Sequence, residues 1–234
     1  MKVNDLIKVI NESPLPDGGD DFEKDQEAID KAIFDENTPY FKRMKYLKSR
    51  AKLIGQGSAR SAFKIIYKGR PTILKVAHNK VGAAQNEVEA AVLDKIAKTN
   101  NDLVIPQIDH DNQDKTQPAW IHLEYAESAD EEELCDVMKC GTLEYLISAM
   151  LPEVEETDWT YETVVTEMRN EFPNYTDRDM VTFKKYVDKL VDLVKPNKLL
   201  ADDFTKAENW GFYKGKPVII DIGFTNDIQI SHYS

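Results

Sequence analysis

The sequence has little cysteine and little histidine. Its 234 residues include two cysteines, Cys135 and Cys140, and four scattered histidines. Two cysteines do not make a disulfide framework, and neither they nor the histidines have the spacing of zinc ligands. The composition therefore argues against a disulfide-stabilised secreted domain and against a structural zinc site, and it fits a reducing compartment.

Positive charge and long hydrophobic runs are also scarce. Thirty Lys and Arg residues stand against 42 Asp and Glu residues, which gives a formal net charge of −12. Affinity for nucleic acid needs clustered positive charge that neutralises phosphates, so we expect no nucleic-acid partner. No window approaches the roughly 18 apolar residues of a membrane span, and the N-terminus lacks an apolar stretch of signal-peptide length. We expect a cytoplasmic protein without a membrane partner.

Hydrophobic periodicity divides the sequence into three regions. Residues 1–50 form a predicted helical extension. Residues 51–126 contain short runs typical of strands, with one helical stretch after the third run. Residues 127–234 are mainly helical and end in a predicted hairpin. This order predicts an α+β protein. The predicted strands are 52–55, 62–67, 72–77, 104–110 and 119–125, and the predicted helices are 82–98, 131–138, 142–150 and 177–194.

Acidic residues and aromatic residues lie between the last predicted helices. We interpret the acidic interval 152–171 as a solvated face, with docking of a basic partner as the alternative. Trp159, Tyr161 and Trp210 are predicted to anchor the packing.

Two glycines stand between the first two predicted strands. Gly55 and Gly57 lack the Cβ atom that would keep a backbone away from a phosphate, and Ser58 follows them. A Gly-x-Gly pair also occurs in ordinary turns. The third glycine of a phosphate-covering loop is missing, because Arg60 stands in its place.

A lysine lies inside the third predicted strand, which is otherwise apolar. Lys75 can point to solvent, or it can enter a cleft if a carboxylate holds it there. Glu89 on the following helix is the favoured partner. Glu87 is the alternative, but it faces elsewhere on that helix.

The end of the sequence carries a possible metal ligand. The apolar run 218–220 leads directly to Asp221 and Gly223, so a buried strand would deliver a carboxylate onto a glycine turn. Asn209 lies upstream and offers an amide oxygen to the same metal. Another apolar run, 120–125, passes into a polar linker that could offer backbone groups to an adenine.

The order of these features resembles the protein-kinase-like family, over about residues 52–224. The implied fold has two lobes, with a five-stranded N-lobe at 51–126 and a reduced helical C-lobe at 127–234. The matching positions are Gly55 and Gly57 with Ser58 for the glycine-rich loop, Lys75 and Glu89 for the ion pair, Glu124 and Ala126 for the hinge, and Asn209 and Asp221 for the metal.

The resemblance implies an ATP- and Mg²⁺-dependent phosphotransferase. Asp221 and Asn209 would hold Mg²⁺, and Lys75 would hold the nucleotide. The family's catalytic aspartate lies five residues before the asparagine, where this sequence has a phenylalanine. Asp203, one residue further away, would serve after a one-residue bulge, and Lys206 would contact the transferred phosphate. A cap or loop role is the alternative for Asp203.

Only residues 224–234 follow Gly223, so we expect no activation segment and no later substrate-binding helices. Compact members of this kind resemble kinase-like proteins of bacteriophages. The leading hypothesis is a serine/threonine protein kinase that acts on a host or partner protein. The alternatives are a non-catalytic, pseudokinase-like interaction protein and a small-molecule kinase.

Overall fold

The computed structural model describes residues 51–111, 119–223 and 225, together with Lys45, Leu47 and Ser49. Nearly all of the predicted extension 1–50 lies outside these residues. The described chain is a mixed α/β structure with one five-stranded antiparallel sheet, one three-stranded antiparallel sheet and five α-helices.

The described residues form eight strands and five α-helices, of which the short strand β6 and the helix α4 were not predicted from the sequence. The five-stranded sheet has the order β1-β2-β3-β5-β4, and the small sheet has the order β6-β7-β8. The strands are β1 Lys52–Gln56, β2 Arg60–Tyr67, β3 Arg70–Ala77, β4 Gln107–His110, β5 Trp120–Glu124, β6 Glu127–Ser128, β7 Trp210–Tyr213 and β8 Lys216–Ile219. The helices are α1 Lys80–Ile96, α2 Glu131–Met138, α3 Leu143–Val154, α4 Tyr161–Glu171 and α5 Asp177–Asn197.

The two faces of the large sheet have different neighbours. One face carries a small apolar cluster that includes Phe63, Leu74 and Trp120. Because side chains alternate along a strand, Ile73 and Ile121 point to the other face. That face joins the main core, which also contains the buried sides of α1 and the later helices. Lys75 shares this second face, so the main core determines its surroundings.

The helices begin at polar caps that the sequence supplies. Asn79 accepts a hydrogen bond from the Gly82 N–H at the start of α1. Asp130 forms a capping box with Glu133 at α2, and Thr176 forms one with Asp179 at α5. Each cap satisfies a backbone N–H that has no partner within its helix. These local signals explain why α1, α2 and α5 start where they do.

The five predicted strands and the helix after the third strand are confirmed. The acidic side chains of the interval 152–171 are exposed, as predicted, but residues 161–171 also form a helix that was not predicted, α4, whose Val164 and Met168 are fully buried. The acidic side chains thus occupy the outer face of an amphipathic helix. Trp210 is buried as predicted, but Trp159 is 47% exposed, so its prediction as a packing anchor is wrong.

The strand β8 is joined through backbone hydrogen bonds to the segment that precedes β4. Ile219 N–H donates to the Leu103 carbonyl at 2.8 Å, and Ile105 N–H donates to the Ile219 carbonyl at 3.0 Å. An isolated bridge also pairs Leu199 with Thr225. Ile219 is therefore attached to the segment before β4, and Thr225 is attached to a residue just after α5.

Across the described ranges, no helix combines the length and the apolar character that crossing a lipid bilayer requires.

The free energy of unfolding should decrease as the pH is lowered from 6.5 towards about 4, because of His122, which is buried in β5. Its Nε2 lies 2.8 Å from Thr72 Oγ1. Burial and nearby Arg70 lower the pKa of His122 from 6.5 to about 4. Between these pH values His122 is therefore protonated in the unfolded state and neutral in the folded state. The free energy of unfolding should drop by up to about 1.4 kcal/mol per pH unit in this window and stay level above it.

Urea denaturation at a series of pH values measures this effect. His122→Gln should reduce the slope of the free energy of unfolding against pH below pH 6.5, while His110→Gln should retain it. The assignment is wrong if the two variants and the unmodified chain have the same slope.

Candidate functional site

The site is built around Lys75 on β3, the central strand of the large sheet. The side chain is almost fully buried, and its Nζ donates to Glu89 Oε1 at 2.7 Å and to the Ile220 carbonyl at 2.8 Å. The same nitrogen lies 3.3 Å from Asp221 Oδ1. The ammonium group thus joins the sheet, α1 and the segment after β8.

Glu89 is fully buried on the inner face of α1, whereas Glu87 is exposed. The helix starts very close to the turn between β1 and β2, since a Cβ atom at Gly82 would lie 2.1 Å from the Ala59 carbonyl oxygen. Gly82 thus permits the approach that brings Glu89 over β3. Of the two candidate carboxylates, Glu89 contacts Lys75.

Arg60 reaches the same carboxylates from the start of β2. Its Nη1 donates to Glu89 Oε2 at 2.5 Å and to Asn86 Oδ1 at 3.3 Å. Its Nη2 donates to Asp221 Oδ1 at 2.6 Å. The residue in place of the third glycine therefore lies inside the site, with its side chain 10% exposed.

Two cations and two carboxylates share this small space. Desolvation tends to raise the pKa of the Asp221 carboxyl, but Arg60 and Lys75 outweigh it and hold that pKa below its usual range. Burial tends to lower the pKa of Arg60, but Asp221 and Glu89 outweigh it and raise that pKa above its ordinary value. The opposite charges of the four groups balance, which permits the burial of Lys75, Arg60 and Glu89, while the Asp221 side chain stays 44% exposed.

The predicted glycine turn lies directly beside this cluster. Gly57 N–H donates to the Arg60 carbonyl at 2.9 Å, and Asn79 Nδ2 donates to the Ser58 carbonyl at 3.4 Å. A Cβ atom at Gly55 or Gly57 would meet its nearest neighbour at 3.8 Å, an ordinary contact. Packing within the described chain therefore does not require these two glycines.

Asp203 and Asn209 lie in two short 3₁₀ helices, Ala201–Thr205 and Ala207–Asn209. Asn209 Nδ2 donates to the Asp203 carbonyl at 2.7 Å, and Lys206 Nζ donates to Asp203 Oδ1 at 2.8 Å. That hydrogen bond raises the pKa of Lys206. Ile220 N–H donates to the Asn209 carbonyl at 2.8 Å, which attaches this loop to the residue before Asp221.

The two predicted hinge positions lie at the end of β5. The Glu124 carboxylate pairs with Arg70 at 2.7 Å, and the Glu124 backbone N–H donates to the Pro106 carbonyl at 3.0 Å. Ala126 packs against the backbone of Gly211, where an added Cβ would lie 3.0 Å away. Both residues have structural partners on this side of the site.

The donor atoms fit a hard divalent cation. Arg60 and Lys75 contact Oδ1 of Asp221, and no described residue donates a hydrogen bond to Oδ2. Asn209 uses Nδ2 toward Asp203, so its Oδ1 can face a metal. The described residues hold no group of three or more His, Cys, Asp or Glu side chains suited to a metal. Phosphate oxygens and water would have to complete the coordination.

Sequence analysis did not predict a role for Arg60. The alternation of side chains along β2 could have indicated that Arg60 lies near Lys75, because Ala62 pairs with Lys75 across β2 and β3. Arg60 is two residues before Ala62, so it lies on the same face of the sheet as Lys75. The pairing register, which a sequence does not display, was needed to use that signal.

No family model matches the sequence, and no curated protein is significantly similar to it. A solved structure that resembles it is that of the apo GRMZM2G135359 pseudokinase, with 12% sequence identity and a TM-score of 0.39. The match covers 86% of this chain and 62% of that one, so this chain spans less than two thirds of that protein's length. A likeness of this extent does not establish a shared activity.

Replacing Glu89 should destabilise the fold strongly. Glu89→Gln leaves Lys75 and Arg60 buried with one remaining carboxylate, so the free energy of unfolding should fall by about 3 kcal/mol. Urea denaturation measures this decrease in the free energy of unfolding. The matched control is Arg70→Gln, which breaks the more exposed pair with Glu124 and should cost less than about 1 kcal/mol. Equal losses in the two variants would contradict the central role of Glu89.

Proposed function

We propose that this chain is a kinase-like phosphotransferase that binds ATP between the large sheet and the loop of Asp203 and Asn209. The observation that carries the proposal is the position of Lys75. A buried ammonium group contacts a helix carboxylate and lies 3.3 Å from a second carboxylate, next to a glycine turn that packing does not require. A cation in this position suits the phosphates of a nucleotide.

The order of the elements supports the same proposal. Lys75 is on the third strand, and its partner Glu89 is on the helix that follows that strand. Asp221 lies 146 residues beyond Lys75 in the sequence, and it follows Ile219, which is hydrogen-bonded to Leu103 and Ile105 just before β4. Elements that are distant in sequence thus converge on one cation.

The loop of Asp203 supports transfer to a hydroxyl group. Asp203 is partly exposed, with 25% of its side chain accessible, and Lys206 pairs with it. In the proposed reaction, Asp203 accepts the proton of the attacking hydroxyl, and Lys206 binds the transferred phosphoryl group. Asn209 positions Asp203 through its hydrogen bond to the Asp203 carbonyl.

Magnesium would be held by Asp221 and Asn209. When bound, it would neutralise charge on the phosphate oxygens during transfer. Glu124 and Ala126 would border the adenine. The proposed acceptor is a serine or threonine of a host or partner protein, and a small-molecule hydroxyl is the other acceptor class.

A second candidate function is a nucleotide-binding interaction protein without catalysis. The observation that favours it is the contact of Arg60 with Asp221, which places a fixed cation on the proposed metal ligand. If that contact persists with nucleotide bound, the site binds phosphates but holds a metal poorly.

Asp203→Asn should reduce phosphoryl transfer by about a hundredfold or more, because the amide cannot accept the proton. The assay uses ATP labelled at the γ-phosphate, Mg²⁺ and casein as a general acceptor. Binding of ATP, followed as a rise in melting temperature, should be retained. The matched control is Asp202→Asn at the exposed neighbouring carboxylate, which should stay within about twofold of the unmodified chain.

Other outcomes separate the candidates. ATP binding without transfer to any acceptor supports the interaction protein. If γ-labelled ATP transfers no label but ATP labelled at the α-phosphate does, the reaction is nucleotidyl transfer instead. If ATP does not raise the melting temperature at all, the proposed nucleotide site is wrong.

A further inference from the structure

Arg60 makes two separable contacts through two different nitrogen atoms. Nη1 is held by Glu89 and Asn86, whereas Nη2 is held by Asp221. The Glu89 and Asn86 contacts attach the guanidinium to α1. The Asp221 contact attaches it to the segment after β8. A small rotation of the guanidinium can release Asp221 while Glu89 keeps its partner.

The backbone around Arg60 is fixed, so this movement belongs to the side chain. Arg60 pairs with Ala77 across β2 and β3, and its carbonyl accepts the Gly57 N–H. The preceding Ala59 carbonyl accepts the His78 N–H at 2.7 Å. The guanidinium is also closely enclosed, because a Cβ atom at Gly223 would lie 2.8 Å from Nη2.

The charges at Asp221 decide what a metal ion would meet. Arg60 and Lys75 already place two positive groups within 3.3 Å of Oδ1. A divalent cation on the same carboxylate would be repelled at short range by both of them, since the Arg60 and Lys75 side chains are themselves nearly buried. Lys75 is held by Glu89 and the Ile220 carbonyl as well, so Arg60 Nη2, with Asp221 as its acceptor, is the group that can withdraw.

We propose that Arg60 is an internal counter-ion that competes with a divalent cation for Asp221. In the described arrangement Arg60 occupies Oδ1 of the Asp221 carboxylate. A metal ion that binds both oxygens of this carboxylate would displace Nη2 from Oδ1, while Nη1 stays on Glu89. Arg60 thereby sets the metal concentration at which the site is occupied. This inference rests on the proposed role of Asp221 as a metal ligand.

The test uses Mn²⁺ alone, without nucleotide, followed by water-proton relaxation in the full chain. Arg60→Gln should lower the dissociation constant for Mn²⁺ by at least about fivefold, the lower end of ordinary coupling between sites. Asp221→Asn in the same background should abolish the gain. The matched control is Arg70→Gln, which removes an arginine from the same sheet and should leave Mn²⁺ affinity unchanged.

A second measurement needs no substitution at Arg60. The chain has six arginines, and their guanidinium nitrogen signals can be followed by NMR during a Mg²⁺ titration. Assignment uses the signal that is missing in Arg60→Gln. The Arg60 signal should change with the same half-saturation as metal binding, because its Nη2 loses Asp221.

The inference is overturned if Arg60→Gln binds Mn²⁺ no more tightly than the unmodified chain, or if no variant binds Mn²⁺ through Asp221. It is also overturned if Mg²⁺ binds while the Arg60 signal stays constant. These outcomes are independent of ATP. Failure of ATP to bind would contradict the proposed function, and it would leave the metal result to decide the role of Arg60.

Discussion

A buried ammonium group needs a carboxylate beside it, and the pair of Lys75 and Glu89 is the constraint on which the rest of this structure depends. Lys75 lies on the central strand and faces the main core, so its partner must come from an element that covers that face. The helix α1 supplies it, and Gly82 lets α1 approach closely enough. Arg60 and Asp221 then complete a group whose opposite charges are balanced.

The parts of the fold set by local signals could be predicted from the sequence. Alternating runs gave the five strands, and a lysine inside an apolar run indicated a nearby carboxylate on the next helix. Glu89 is only 14 residues from Lys75, and helix periodicity distinguishes it from Glu87. Arg60 and Asp221 are 161 residues apart, and no local pattern specifies that contact.

Other differences arise where composition conceals periodicity. The interval before α5 is acidic enough to suggest a solvated face, yet Val164 and Met168 are enough to hold α4 against the core. Trp159 is large and apolar, but it precedes α4 and remains half exposed. The spacing of Asp203 and Asn209 differs from the kinase-like pattern by one residue. Two consecutive 3₁₀ helices place the Asn209 side chain against the Asp203 carbonyl, a contact that spacing alone does not show.

The hydrogen bonds of Ile219 have a mechanical consequence. They join β8 to the segment that leads into β4, the strand at the edge opposite to β1, and Ile219 lies two residues before Asp221. If the sheet tilts away from the helices while these bonds persist, the axis of rotation passes close to Asp221, and the glycine turn travels furthest. In such a movement Ile219 would lie close to the rotation axis. The hydrogen bond between Arg60 and Asp221 would have to break before the sheet edge at β1 could move away from the helices.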